Sequence, residues 1–307
     1  MIENSAVALK PVICVGHAAL DYVYRIEAFP PQPTKVRSLE HIESGGGMAA
    51  NAAATIARLG GPVELWSRTG ADAAGERIRA FLQADGVDVS YVKVYEGARS
   101  STSAVIVDSN GDRLVIGERD HAMSMDPMWL PLHRIGEAAA VMSDMRWVEG
   151  TCAAFAAARV QGVPTILDAD LGGGGDLQEF LSLSDYAIFS GPALDRFVPG
   201  ADDAQRLAAV LAMGVRHAGV TRGSGGYFWA ATDGKLGHQP AFELEVVDTT
   251  GAGDAFHGAF GWALAQGHPA SECARIAAAV SALKCRRLGA RSGLPTREEL
   301  DSFLAGR

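Results

Sequence analysis

Apolar residues recur along this chain in more than one rhythm. Val12 to Gly16 is a short continuous apolar run closed by glycine, the pattern of a strand buried on both faces of a parallel sheet. Tyr22 to Phe29 and Val36 to Glu43, parted by Pro30-Pro31-Gln32-Pro33, read as strands of a different kind. So do Thr102 to Val107 and Arg113 to Ile116, which flank Ser109-Asn110-Gly111-Asp112. Asn-Gly between alternating apolar runs is a strong hairpin signal. These four strands form a small β appendage over about 21–44 and 99–119, expected to act as a lid and to pair its exposed face with a second copy of the chain. From Ala140 the rhythm becomes strand, helix, strand: Ala140 to Ser143, Ala153 to Val160, Thr165 to Leu167, Leu177 to Leu183, Tyr186 to Phe189 and Leu207 to Met213. That alternation predicts an α/β protein with a helix-covered parallel sheet.

Glycine-rich stretches punctuate this pattern. Ser44-Gly45-Gly46-Gly47-Met48-Ala49-Ala50-Asn51 enters an alanine-rich helix that stops at Gly60, and Gly70-Ala71-Asp72 with Gly75 opens another. Asn51 offers donor and acceptor to vicinal hydroxyls, or satisfies local backbone groups. Asp21, five residues past the first strand, lies where open α/β sheets bind ligands and could accept hydrogen bonds from sugar hydroxyls, or it is a turn residue. Gly172 to Gly175 reads as a connection. Val220-Thr221-Arg222-Gly223-Ser224-Gly225-Gly226 ends a strand with a turn whose N–H groups could meet phosphate, and Tyr227 to Ala231 follows.

The sharpest signal is Asp248-Thr249-Thr250-Gly251-Ala252-Gly253-Asp254, placed between a strand-like Phe242 to Val247 and a helix carrying Phe256, Ala259, Phe260, Ala263 and Leu264. Uncovered N–H groups of the first helical turn favour a polyanion. A carboxylate at position 254 is the wrong sign for binding phosphate, and the right group for taking a proton from an attacking alcohol; otherwise it caps the helix. A helix from Cys273 to Leu283, a turn from Arg286 to Pro295 and a helix from Thr296 complete the chain.

With 307 residues and a net charge of -9, the chain has length for a substantial core and no basic stripe for nucleic acid or anionic lipid. Its four cysteines form no CxxC pair, and no apolar run approaches a membrane span, so a cytoplasmic protein with reduced thiols is expected. P-loop, HExxH and GxSxG motifs are absent.

Two glycine-rich stretches about 200 residues apart, a split β appendage and a late Asp make the chain resemble the ribokinase-like, or PfkB, carbohydrate kinases over nearly its whole length. Gly46-Gly47-Met48-Ala49-Ala50-Asn51 is similar to the first family signature, and the 248–254 stretch to the second. The resemblance implies one kinase domain over 1–307 with a three-layer α/β/α core, ATP and Mg2+. It makes Asp254 the catalytic base, and Gly251, Ala252 and Gly253 an anion hole. Asp21, Gly46, Gly47 and Asn51 would contact the sugar, and Thr221, Gly223 and Gly226 the nucleotide. Where many members carry Asn-x-x-Glu to organise magnesium, this chain has Ser190-Gly191-Pro192-Ala193; Asp168 and Asp170 either supply carboxylates through water or are ordinary strand-end aspartates. The Gly289–Gly293 turn is similar to a family loop for a monovalent cation such as K+.

Within the family, Ser143 to Trp147, Phe189 to Pro192, His238 to Phe242 and Ala282 to Cys285 look most like 6-deoxy-6-sulfofructose kinases, with ketohexokinase next. That resemblance assigns the sulfonate to Lys35 and Arg146, while Gly117 stands where an Asn is expected. The expected reaction is phosphorylation of a ketose 1-hydroxyl. Fructose or a sugar phosphate is the alternative substrate, and a non-catalytic sugar or nucleotide sensor the alternative class.

Overall fold

Strand β1 (Val12–Val15) divides its side chains between two cores: Val12 and Cys14 face one, Ile13 and Val15 the other, and all four are buried. Both faces are therefore covered, as its unbroken apolar run predicts. The computed structural model describes residues 9–120, 122–172 and 174–307. The four-glycine connection expected at Gly172 to Gly175 includes Gly173, which lies outside the described residues.

In chain order the remaining elements are β2 (Ala19–Arg25), β3 (Glu40–Gly46), α1 (Met48–Arg58), β4 (Val63–Gly70), α2 (Ala73–Ala84), β5 (Val92–Tyr95), β6 (Ser101–Val107), β7 (Arg113–Glu118), β8 (Ala140–Asp144) and α3 (Val148–Gln161). They continue with β9 (Thr165–Ala169), α4 (Leu177–Ser182), β10 (Tyr186–Ser190), α5 (Gly191–Phe197), α6 (Asp203–Ala212), β11 (His217–Thr221), β12 (Tyr227–Ala231), β13 (Leu236–Gln239), α7 (Ala252–Ala265), α8 (Ala270–Lys284) and α9 (Arg297–Ala305).

Nine strands form the main sheet in the order β13-β12-β11-β10-β9-β8-β1-β4-β5. The run from β11 to β5 is parallel, whereas β12 and β13 add on antiparallel. Helices α1, α2, α7, α8 and α9 contribute to one apolar layer, and α3, α4, α5 and α6 to the other. The result is the expected three-layer α/β/α architecture.

The four strands expected apart do pair with one another, as a separate sheet ordered β3-β2-β6-β7. Asp21 on β2 lies opposite Ser44 of β3 and Ser103 of β6, and Ser103 lies opposite Gly117 of β7. A small core of Val23, Val105 and Val107, with Ile42 and Leu288 against it, supports one face.

Two expectations need correcting. Phe242 to Val247 is no strand. Its alternation is real, since Phe242 and Leu244 pack on the core while Glu243 and Glu245 are exposed, but no neighbouring strand takes up its backbone. The second strand of the small sheet in chain order, β3, begins at Glu40, so Val36 to Leu39 belongs to the connection. Strand β4 escaped notice because polar Glu64, Ser67 and Thr69 sit buried within it. Glu64 is satisfied there by Trp66 Nε1 at 3.0 Å and by Arg134.

Candidate active site

The carboxyl ends of β8, β9, β10 and β11, the amino ends of α1 and α7 and one end of the small sheet meet at one place. This is the crevice where open parallel sheets bind ligands. Asp144, ending β8, is fully buried and accepts backbone N–H from His17 at 2.8 Å, Ala49 at 3.1 Å and Arg146 at 2.8 Å. Burial pushes its carboxyl pKa up, and those three donors oppose the shift. It ties β1, α1 and β8 into one frame.

Asn51 and Asp254, far apart in sequence, are in contact: Asn51 Nδ2 donates to Asp254 Oδ2 at 2.7 Å. A residue missed from the sequence fixes this orientation. Arg291, read there only as part of a cation loop, donates from Nε to Asn51 Oδ1 at 2.8 Å and from Nη2 to the Gly46 carbonyl at 3.3 Å, and pairs with Asp85 at 3.4 Å. A guanidinium can only donate, so Asn51 must turn its oxygen to Arg291 and its NH2 to Asp254. Arg291 is 8% exposed. The signal in the sequence was a lone Arg inside a glycine turn, which surface residues mimic.

Asp21 is buried and its pKa is pushed up to about 6 by burial, against the Ser103 hydroxyl and Arg291. Gly46 is needed beside it, because a Cβ there would lie 2.3 Å from the Asp21 carboxyl. Gly47 precedes α1, and the helix starts with Asn51 N–H donating to the Gly47 carbonyl at 2.8 Å.

Gly251 takes φ 73°, a left-handed conformation that glycine adopts without penalty, and lets α7 begin at Ala252. Gly253 is exposed and has open space around it, so the first turn of α7 faces the crevice uncovered. The Thr250 hydroxyl beside it is buried without a hydrogen-bond partner among the described residues. Asp254 has its pKa raised to about 6, first by burial, then by the carboxylates of Asp170, Asp144 and Asp21, with the Asn51 bond opposing.

Thr221 ends β11, and Gly223 and Gly226 shape the short turn before β12, so these three lie together at the same sheet end. Asp168 is buried, and its carboxyl is pushed well up by burial and by Asp254, Asp170 and Asp144. Asp170 accepts from Ser190 Oγ at 2.5 Å, so the serine replacing the family asparagine is bonded into this carboxylate group. Among the described residues no three His, Cys, Asp or Glu side chains cage a metal. Two neighbouring carboxylates fit a hydrated Mg2+ held mainly by phosphate oxygens.

Lys35 is not brought to the others. It stands exposed in the β2–β3 connection and makes no polar contact among the described residues. Three arginines surround His17 instead. Arg68 donates to Ser124 O at 2.7 Å and stacks 4.2 Å over Trp147, Arg119 donates to Arg146 O at 2.8 Å, and Arg146 donates to Leu171 O at 3.1 Å. His17 is held neutral, its pKa lowered to about 3 by burial and by Arg146, Arg119 and Arg68. Among the described residues, the buried Nε of Arg146 has no hydrogen-bond partner.

Comparisons with known proteins find sugar kinases. A fructokinase of Klebsiella pneumoniae is 30% identical over 289 residues, covering 86% of this chain and 92% of that one. An ATP-dependent ribose-1-phosphate kinase of Halopiger xanaduensis is 28% identical over 303 residues, covering 96% and 98%. Among solved structures, a candidate ribokinase of Agrobacterium tumefaciens matches with TM-score 0.92 and 34% identity over 97% of this chain and 98% of that one. Arabidopsis thaliana ribokinase, complexed with ribose and ATP, matches with TM-score 0.82 and 28% identity over 96% and 98%. The model of the pfkB family carbohydrate kinases matches residues 10–297. On this match and on the Asn51–Asp254 site it encloses, the chain belongs to the pfkB family of carbohydrate kinases.

Proposed function

We propose that this kinase transfers the γ-phosphoryl group of ATP to the 1-hydroxyl of a ketose bearing an anion at its far end, and that 6-deoxy-6-sulfofructose is that sugar. The observation that carries the anion is the Arg146 Nε, buried without a partner among the described residues, inside a cluster of three arginines. A sulfonate is a tetrahedral anion that guanidinium donors match. Arg68 and Arg119 take over the part that the sulfofructose-kinase resemblance gave to Lys35 and to the asparagine replaced by Gly117.

Asp254 removes the proton of the attacking hydroxyl, with Asn51 holding the carboxylate in place. The N–H groups of Gly251, Ala252 and Gly253 receive charge on the transferring phosphoryl group. Asp21, Gly46, Gly47 and Asn51 hold sugar hydroxyls, and Thr221, Gly223 and Gly226 receive the nucleotide. Asp168 and Asp170 would hold Mg2+ through water, and the ion would neutralise phosphate charge. The small sheet closes over the sugar as a lid, its Arg113 reaching Thr249 beside the anion hole. Its exposed Leu114 and Ile116 pair two subunits in a homodimer, and sedimentation of Ile116→Arg as a monomer is the expected result.

An ADP-release assay over fructose, ribose and the 6-sulfonate and 6-phosphate ketoses tests the reading. Highest kcat/KM on a 6-anionic ketose is expected, and highest kcat/KM on fructose or ribose overturns it. Silence on every sugar, with ligand-induced thermal shifts retained, would favour the sensor reading. Arg146→Ala should raise KM for the anionic ketose about tenfold to a hundredfold and leave fructose nearly unchanged, by the usual worth of a charged hydrogen bond. Because Asp254 must be ionised to act and its pKa is raised to about 6, kcat/KM should fall as pH drops through that value. A flat profile from pH 7 to about 5 would remove this carboxylate as the base.

A further inference from the structure

Lys284, the last residue of α8, is the one lysine buried to 0% exposure among the described residues, and the reaction as derived does not use it. Its ammonium donates to the backbone carbonyl of Asp248 at 2.8 Å. Asp248 is itself fully buried and opens the 248–254 loop. One of its carboxylate oxygens accepts from Thr250 N at 2.8 Å and the other from Gly289 N at 2.7 Å. The same carboxylate thereby joins the anion-hole loop to the Gly289–Gly293 turn. That turn closes tightly on Lys284, because a Cβ on Gly293 would lie 2.1 Å from the Lys284 carbonyl.

A buried carboxylate and converging carbonyls call for a cation. The turn was expected to bind K+, yet the donor set does not fit a separate ion. Both oxygens of Asp248 are engaged by N–H groups, the Asp248 carbonyl already receives an ammonium, and the Cys285 carbonyl accepts from Val247 N at 2.8 Å and Asp248 N at 3.2 Å. The Arg291 side chain leaves the turn for Asn51. Burial lowers the Lys284 pKa and Arg113 lowers it further, while Asp248, Cys285 and Asp254 oppose the shift and favour the ammonium.

We propose that Lys284 is a built-in monovalent cation: its tethered ammonium holds the Asp248 loop in the shape that presents the Gly251–Gly253 cradle, and the protein works without added K+. Lys284 is a positioning residue, since it touches the loop and not the ligand. The proposal rests on reading residues 251–253 as the phosphate cradle. ATP binding is therefore followed as well as turnover, so that the wrong sugar and the wrong cation fail separately.

The test compares ATP affinity, by calorimetry, and kcat in potassium, sodium and tetramethylammonium chloride at equal ionic strength. The wild type should give the same values in all three within about twofold, and a tenfold or greater gain in K+ overturns the proposal. Lys284→Met should weaken ATP binding about tenfold to a hundredfold in tetramethylammonium, the worth of a buried charged hydrogen bond, and recover at least about tenfold on adding K+ or NH4+. Wild-type values in that variant, or a loss that no small cation repairs in a folded protein, overturn the role of Lys284. If Lys284→Met does not fold, Lys284→Gln takes its place with the same outcomes for and against, and the ion profile of the wild type tests the proposal by itself.

Discussion

Asp254→Asn lowers kcat by about 10² to 10⁴ and leaves sugar and ATP binding within a few-fold of wild type, the usual size of a general-base contribution. The amide keeps the shape and can still accept from Asn51 Nδ2, so the 2.7 Å bond that positions the group survives while the basic lone pair is lost. Steady-state turnover with calorimetric affinities checks both halves, and near-normal turnover removes Asp254 from the chemistry. The effect of the same substitution on stability has the opposite sign. The pKa of Asp254 rises from 3.8 to about 6 on folding, so the folded protein prefers the protonated form. The stability this gives is present below about pH 4 and is lost as pH rises through about 6. At neutral pH the ionised carboxylate costs on the order of 1–2 kcal/mol, allowing for its partial exposure, and Asp254→Asn removes that cost. The variant should therefore melt a few degrees higher than wild type at pH 7, with the difference shrinking toward pH 4.

That dependence of one residue on its surroundings explains which parts of the molecule were legible in the chain. Val12 to Val15 could be read because burial on both faces leaves an unbroken apolar run, and the small sheet because Asn110-Gly111 marks its hairpin. Gly251 and Asp254 could be read because their chemistry is local: one turn of backbone and one carboxylate lie within four residues. Where a structure depends on partners distant in sequence, the chain is silent. Strand β4 hides behind polar residues satisfied only by tertiary contacts, and Phe242 to Val247 alternates like a strand with no neighbour to pair with. Arg68 lies in β4, Arg119 just past β7 and Arg146 just past β8, so no spacing announces their cluster. Lys35 carried a resemblance to one subgroup, but a side chain in an exposed connection needs more than its place in a motif to reach a ligand.

Arg291 is the case in which such a distant partner matters most to activity. Replacing it with Ala removes the donor to Asn51 Oδ1 and the donor to the Gly46 carbonyl, and leaves Asp85 and Asp21 without their facing cation. Breaking a buried charged contact costs about 3–5 kcal/mol, part of it in stability. With Arg291 gone, Asn51 is free to turn its amide over, and a carbonyl oxygen facing Asp254 would favour the protonated acid. The expected result for Arg291→Ala is a loss of about 10² to 10³ in kcat/KM, expressed in kcat as well as KM, with the acid limb of the pH profile displaced upward. Arg291→Lys restores charge without the fixed fork of donors, so it should recover stability better than turnover. A purely structural arginine would lower the melting temperature and leave the pH profile of the surviving folded enzyme where it was. The direction of that limb therefore decides whether Arg291 acts through Asn51 on the base or only holds the turn in place.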